Sequence, residues 1–368
     1  MAAPWPVATR GQRARRVGVL YSSVDPGKPP PGSEAAWRKV ESILGETVRV
    51  ERRYAARRLE RLPELADDLL RRGDAEVLWP FGHTAAVAAV RATRTVPIVF
   101  SFAFMPVECG LVSSLAKPRG NATGFAIADG PEEPLKVFDF VKAVAPSARR
   151  WGSLTGDPNL ATTSGSPLDL RPRADAAARS QGFERTVYAA PRLEDVDAAL
   201  TKAAAAHLDG ITVFGGDSGY EDVADRVAEF ALRQRWITAA LFSPGLFSAG
   251  LLIYHGATWD EFVRLNVRNL DIVTRILKGA KPADFPVELP SRYELAINLT
   301  TAQKLGIVLP QSLLLQADRV VHGVGTRSEL ERAGATCAGK AARGGARSGR
   351  ARRGRGARAS GRRYAGTS

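Results

Sequence analysis

The stretch VLWPFGHTAAVAAVRATRTVPIVFSFAFMPVECGLV, residues 77–112, decides the fold. It reads as a strand over 77–79, a turn over 80–83 carrying Gly82, a helix over 84–93, a second strand over 96–100 and a loop over 101–106. Two short apolar runs joined by a ten-residue helical segment form a βαβ unit, whose strands run parallel and end on the same side. Ligands of such sheets bind beyond those ends. The turn Phe81-Gly82-His83-Thr84 stands where the helix starts, so its backbone N–H groups and the Thr84 hydroxyl suit a carboxylate or other anion. The plain alternative makes Thr84 a helix cap and Gly82 a turn glycine.

Working outward, the same alternation continues on both sides. Upstream lie a strand over 17–21 with Ser22 and Ser23 at its end, a helix over 33–44, a strand over 48–54 and a helix over 61–72. Downstream of the turn-rich connector KPRGNATG (117–124) and a helix over 135–144, a second round begins. It runs through a strand over 151–154, helices over 174–181, 193–207 and 220–234, and strands over 184–188 and 210–214. A strand over 250–254, a helix over 259–277, a linker over 279–286, a strand over 293–298 and helices over 300–305 and 310–317 follow. Gly306 reads as the glycine that ends the first of those two. Two doubly wound α/β lobes of parallel sheet, with a ligand cleft between them, are the expected architecture.

The composition narrows the function. Apolar residues at 45% and charged residues at 24% fit a globular chain, and no run of about 18 uncharged apolar residues appears. The net charge of +14 belongs to the ends. From Arg327 onward twelve Lys and Arg stand against Glu329 and Glu331, a net of +10, and Arg10, Arg13, Arg15 and Arg16 supply the other four, so the middle is near neutral. Two cysteines, Cys109 and Cys337, and the four scattered histidines His83, His207, His255 and His322 give neither a disulfide framework nor metal-ligand spacing. There is no G-x-G-x-x-G after the first strand, no phosphate-binding G-x-x-x-x-G-K-(S/T) loop, no G-x-S-x-G and no H-E-x-x-H, so no catalytic constellation, metal or cofactor is expected.

Several polar and aromatic residues fall at strand ends. His83 is a donor to a bound carboxylate or a turn residue. Asp157, in Gly-Asp-Pro-Asn159, and Asp217, in GGDSGY, bind a ligand amine or cap a turn and a helix. Phe102 and Phe104 line a pocket or fill the core.

The segment 275–321 resembles the end of the ABC-transporter substrate-binding proteins of the tryptophan/tyrosine-type family. Its KGAKPADFPV (278–287), RYELAINLTTAQK (292–304) and LGIVLPQSLLLQAD (305–318) carry the resemblance. RLPELADD (61–68), VPIVF (96–100), GLVSSL (110–115) and PRGNATG (118–124) extend it over about 17–321. The resemblance implies a type I periplasmic-binding fold, in which two lobes joined by crossing strands close on a small solute and deliver it to a membrane permease driven by an ATPase. It places ligand contacts at Ser22, Ser23, His83, Thr84, Phe102 and Met105 in the first lobe and at Asp157, Asn159 and Asp217 in the second. It implies a small polar, amino-acid-like solute, a periplasmic or extracytoplasmic setting, and contact with the membrane only through the permease. The lobes are expected over 17–122 plus about 250–280 and over 123–249 plus about 285–321.

Two departures stand out. Phe104-Met105-Pro106-Val107 replaces the family's Gly-Asp-Pro-Val, which removes a carboxylate able to pair with a ligand ammonium, a contact worth roughly 1.5–3 kcal/mol. Tyr254-His255-Gly256 stands in place of Ser-Tyr-Gly. Residues 1–16 read as the remnant of a signal peptide or a disordered leader, and 322–368 as a disordered Arg/Gly/Ala-rich tail. The missing apolar signal core keeps a cytoplasmic ligand-sensing domain of the same fold as the alternative. A nucleic-acid role through the tail is weaker, since only Tyr364 is interleaved for stacking and no specific nucleic acid is expected.

Overall fold

In the computed structural model, residues 14–27, 33–156, 171–214 and 223–322 are described. Among them the strands are β1 (Arg15–Tyr21), β2 (Val48–Tyr54), β3 (Val77–Phe81), β4 (Ile98–Phe104), β5 (Ala122–Ala128), β6 (Arg150–Thr155), β7 (Glu184–Ala189), β8 (Gly210–Phe214), β9 (Ile237–Leu241), β10 (Ile253–Ala257), β11 (Tyr293–Asn298) and β12 (Arg319–Val321). The helices in the first half are α1 (Ser33–Leu44), α2 (Leu62–Arg71), α3 (His83–Ala92), α4 (Glu132–Leu135), α5 (Val137–Val144) and α6 (Arg171–Ser180). Those in the second half are α7 (Val196–Ala205), α8 (Ala224–Arg233), α9 (Pro244–Ser248), α10 (Trp259–Leu277), α11 (Leu299–Leu305) and α12 (Gln311–Gln316).

The strands form two sheets, one per lobe. The first has the order β2-β1-β3-β4-β5 and is parallel throughout. Alternation along each strand sends side chains to opposite faces. Val17, Val19, Val77 and Trp79 therefore pack with Trp37 of α1 and Leu270 and Val273 of α10. Leu20 and Leu78 pack with Leu65 and Leu69 of α2 and with the alanine face of α3. The second sheet has the order β12-β11-β10-β9-β8-β6-β7, and only the β10–β11 pair is antiparallel. That reversal follows from the path of the chain, because β11 enters the second lobe directly from the first.

The crossings lie later in the sequence than the turn residues of 117–124 suggest. β5 pairs with β4 in the first sheet, so the chain leaves that lobe after Ala128 rather than near 122. Gly124, with φ of +139°, passes so close to the Phe100 backbone that a Cβ there would collide with its carbonyl. The glycine is thus a strand residue of close approach, not a linker. β10 belongs to the second sheet, so the return falls at Ala257, ahead of α10. Residues 287–288 are still held in the first lobe, where Glu288 N–H donates to Gly124 O at 2.9 Å and Glu288 O accepts from Ala126 N–H at 3.0 Å. The third crossing is therefore between Glu288 and Tyr293.

One internal junction fixes α10 against the first sheet. The Asn269 amide donates to Phe100 O and to Ser101 Oγ, both at 2.9 Å, and Ser101 Oγ also receives the Trp79 indole N–H at 3.0 Å. All of these groups are buried, where polar groups must find partners.

Candidate functional site, a cleft between the lobes

The first lobe presents the ends of β1, β3 and β4. Ser22 is buried and turned back into its own lobe, with N and Oγ each 3.3 Å from Phe81 O and its carbonyl accepting from Arg57 N–H. Ser23 is half-buried beside it. Gly82, with φ of 103°, occupies the cap position of α3, so Thr84 lies inside the helix and is not its cap. His83 is buried, and its Nδ1 accepts the Phe104 N–H at 3.2 Å. An imidazole accepting at Nδ1 carries its ring proton on Nε2.

The end of β4 is strained. Phe102 and Met105 have φ of 60° and 44°, conformations that cost a non-glycine residue about 1–3 kcal/mol each. The register with β5 shifts on either side of Ala103. The irregularity turns Phe102 toward Phe125 (4.9 Å between centroids) and Phe262 (5.3 Å). It sends Phe104 across to the second lobe, where Phe214 and Phe242 stand 6.0 and 6.3 Å away. Met105 is fully enclosed in the core that joins the lobes, with its N–H donating to Ala128 O at 2.9 Å. Of the residues expected to contact ligand, His83, Thr84, Phe102 and Met105 gather around these strand ends. Asp157, Asn159 and Asp217 lie outside the described residues.

The second lobe presents Thr155, Phe214 and Leu241, the last residues of β6, β8 and β9. Together with Phe104 and Phe138 they wall a cavity of about 120 Å³, whose floor includes Arg171 and Arg185. Arg185 is 7% exposed. Its Nε donates to Asp175 Oδ1 at 2.8 Å, and its Nη2 stands 2.7 Å from the same oxygen. That single oxygen leaves the enclosed Nη2 without a hydrogen bond of good geometry. Burial lowers the pKa of this guanidinium, and Asp175 opposes the shift. At the rim, Arg173 Nη1 reaches both carboxylate oxygens of Glu108 at 3.2 and 3.1 Å, a bridge from α6 to the loop after β4.

Reading the sequence did not single out Phe214, Phe242 or Arg185. The signal for Arg185 was present: in ERTVYA, period-two alternation puts it on the face of Val187. A charge on the inward face of a strand marks a built position. Among the described residues no group of three or more His, Cys, Asp or Glu is placed to hold a metal. No helix among them is long and apolar enough to cross a membrane.

Comparison with known proteins agrees with this geometry. Residues 261–321 match the family described as ABC transporter substrate binding protein. A tyrosine-binding protein of Clostridioides difficile is 34% identical over 77 residues, a stretch spanning 21% of this chain and 21% of that protein. A conserved domain protein from Vibrio cholerae superposes with a TM-score of 0.67 at 21% identity, over 84% of this chain and 100% of the other. This is the type I periplasmic-binding fold. A second structure with that fold, the ABC domain from Streptococcus pneumonia in complex with L-Trp, gives a TM-score of 0.64 at 22% identity, over 83% of this chain and 100% of that one. A third, an ABC transporter solute binding protein from Bacillus halodurans with bound myo-inositol, gives 0.52 at 12% identity, over 81% of this chain and 99% of the other. Here the chain passes between the lobes three times, after β5, after β10 and before β11.

Proposed function

We propose that this chain is the solute-binding component of an ABC uptake transporter, holding a small metabolite between its two lobes. The observation that carries the reading is the meeting of the lobes at their strand ends, where Phe104 of the first lobe stands 6.0 and 6.3 Å from Phe214 and Phe242 of the second, beside a cavity that Phe104 shares with residues mostly of the second lobe. A solute touching both walls binds the apposed lobes better than the separated ones, and that difference in affinity is what shifts such an equilibrium. The likeness of the C-terminal segment to the ABC substrate-binding family and the relatives with bound small molecules support the same reading. No chemistry is done on the solute in this reading. The protein works outside the cytoplasm, and its partners are a permease that reads the apposed lobes and an ATPase that powers it.

A thermal-unfolding screen of the full chain against amino acids, carboxylates, polyols and amides tests this. A solute at 100 times its Kd adds about 2.7 kcal/mol of stability, which moves the midpoint by several degrees for a chain of this size. A panel that leaves the midpoint unmoved contradicts the reading.

A further inference from the structure

We propose that a groove at the end of the first lobe farthest from the cleft binds a phosphate group, borne by a soluble phosphate or by the headgroup of an anionic phospholipid. The site is separate from the solute-receptor reading and does not depend on it. The strands of the first sheet are parallel, so the residues just ahead of β4 and β5 lie at the opposite end of the sheet from the cleft. Three stretches that stand out in the sequence, VPIVF (96–100), PRGNATG (118–124) and KGAKPADFPV (278–287), meet there around a groove of about 440 Å³. The binding of a solute between the lobes gives them no task.

The groove has the chemistry of an anion receiver. Arg94 and Lys281 are the charged residues lining it, and no carboxylate lines it. Both are exposed, and neither has an ion-pair partner among the described residues. Arg52, Arg53 and Arg71 of the same lobe, in contrast, each face a carboxylate, at 3.1, 2.7 and 2.8 Å. The neighbouring Asp284 carboxylate is engaged by the backbone, accepting the Lys281 N–H at 2.9 Å. The floor is fixed by its own hydrogen bonds. The Asn121 amide donates to Thr93 O and Val96 O at 3.2 and 2.8 Å, and Thr93 Oγ1 accepts from Thr95 N–H and Val96 N–H at 3.2 and 3.1 Å. At Gly120 a Cβ would meet nothing within 4 Å, so the groove is open over that backbone. A guanidinium fork and an ammonium point charge on one groove suit a dianion with several acceptor oxygens, a phosphate rather than a single carboxylate. The volume exceeds that of a phosphate, which leaves room for the group that carries it.

The test is calorimetric titration of the full chain with pyrophosphate, glycerol 3-phosphate and malonate, beside flotation with vesicles of phosphatidylglycerol in phosphatidylcholine. Wild type is compared with Arg94→Ser/Lys281→Ser and with Ala283→Glu, which keeps both cations and adds a carboxylate to the groove; either variant decides the matter if the other does not fold. Arg179→Ser/Lys202→Ser removes the same charge from exposed positions of the second lobe and leaves the basic C-terminal residues in place, as the groove variants do. At least one of the two phosphates is expected to bind one to one, with malonate at least tenfold weaker. The groove variants are expected to cost that phosphate at least tenfold and the second-lobe variant less than twofold. If no soluble phosphate binds but the groove variants alone release the chain from the phosphatidylglycerol vesicles, the proposal holds with the lipid headgroup as the source. Groove variants that match the second-lobe variant in both arms, or malonate bound as tightly as the phosphates, overturn it.

Discussion

Phe104, the last residue of β4, stands edge-on to Phe214, the last residue of β8, with ring centroids 6.0 Å apart and planes at 76°. One ring belongs to each lobe, so the pair ties the state of the cleft to two side chains. Edge-to-face pairs contribute about 0.5–1.5 kcal/mol beyond their buried area. A double-mutant cycle with Phe104→Leu and Phe214→Leu, read by urea unfolding, is expected to give a coupling energy in that range. A coupling near zero would mean that the lobes do not meet through this pair.

The Asn269 amide serves two acceptors from α10, Phe100 O and Ser101 Oγ, and all three groups are buried. Asn269→Leu takes the side-chain donor from Phe100 O in a buried site and leaves Ser101 Oγ with the Trp79 indole N–H alone. The expected loss is about 2–3 kcal/mol, from a penalty of about 1–3 kcal/mol for an unsatisfied buried group. Chemical denaturation measures it. A loss under about 0.5 kcal/mol would show that the junction does not hold α10 to the sheet.

Most of the fold was legible because each element announces itself locally. The strands over 48–54 and 210–214, the helix over 259–277 and the glycine end at Gly306 stand in the structure as their patterns predict. The lobe boundaries were not legible, and β5 shows why. ATGFAIA is buried on both faces, so it carries no alternation, and the turn residues before it imitate a linker. The candidate site was legible only as a place: the rule that ligands sit beyond parallel strand ends points to the region of His83, Thr84 and Phe102, while the cavity beside it is lined by other residues. Arg185 required knowing which face of an edge strand is covered by α6, a tertiary fact that the sequence states only as alternation. The bulge that turns Phe104 into the second lobe has no sequence signature, since Phe102 and Met105 adopt positive φ without being glycine.

His255 lies on β10 just before the chain returns to the first lobe, with Nε2 3.1 Å from both the carbonyl and the carboxylate of Glu133. Burial lowers its pKa, outweighing Glu133, the Glu294 and Glu133 backbones that raise it and adding to the effect of Lys136. The unfolded chain takes up a proton near pH 6.5, while the folded ring resists it until lower pH. Stability from this group is therefore complete above about pH 6.5 and is lost as pH falls toward the folded pKa. Urea unfolding at pH 7.5, 6.5 and 5.5 is expected to show a decline that His255→Gln reduces. An equal decline in the variant would assign the pH dependence to other groups.

Cys109 is partly buried, with Sγ 3.1 Å from Phe104 O, and burial pushes its thiol pKa up, with Glu108 adding to the shift. Thiol reagents attack the thiolate. In a Cys337→Ser background the folded protein is expected to react with an aromatic disulfide at pH 8 roughly 100-fold more slowly than in urea. Equal rates would mean that the loop after β4 opens freely.

The most direct test of the central claim is the distance between the lobes with and without solute. Spin labels at Arg91→Cys on α3 and Lys202→Cys on α7, both exposed positions, report it in a background lacking Cys109 and Cys337. With a solute found by the unfolding screen, the account predicts that the distance distribution narrows and shifts to one population as the solute saturates. A solute that binds with an unchanged, equally broad distribution would contradict the two-lobed clasp.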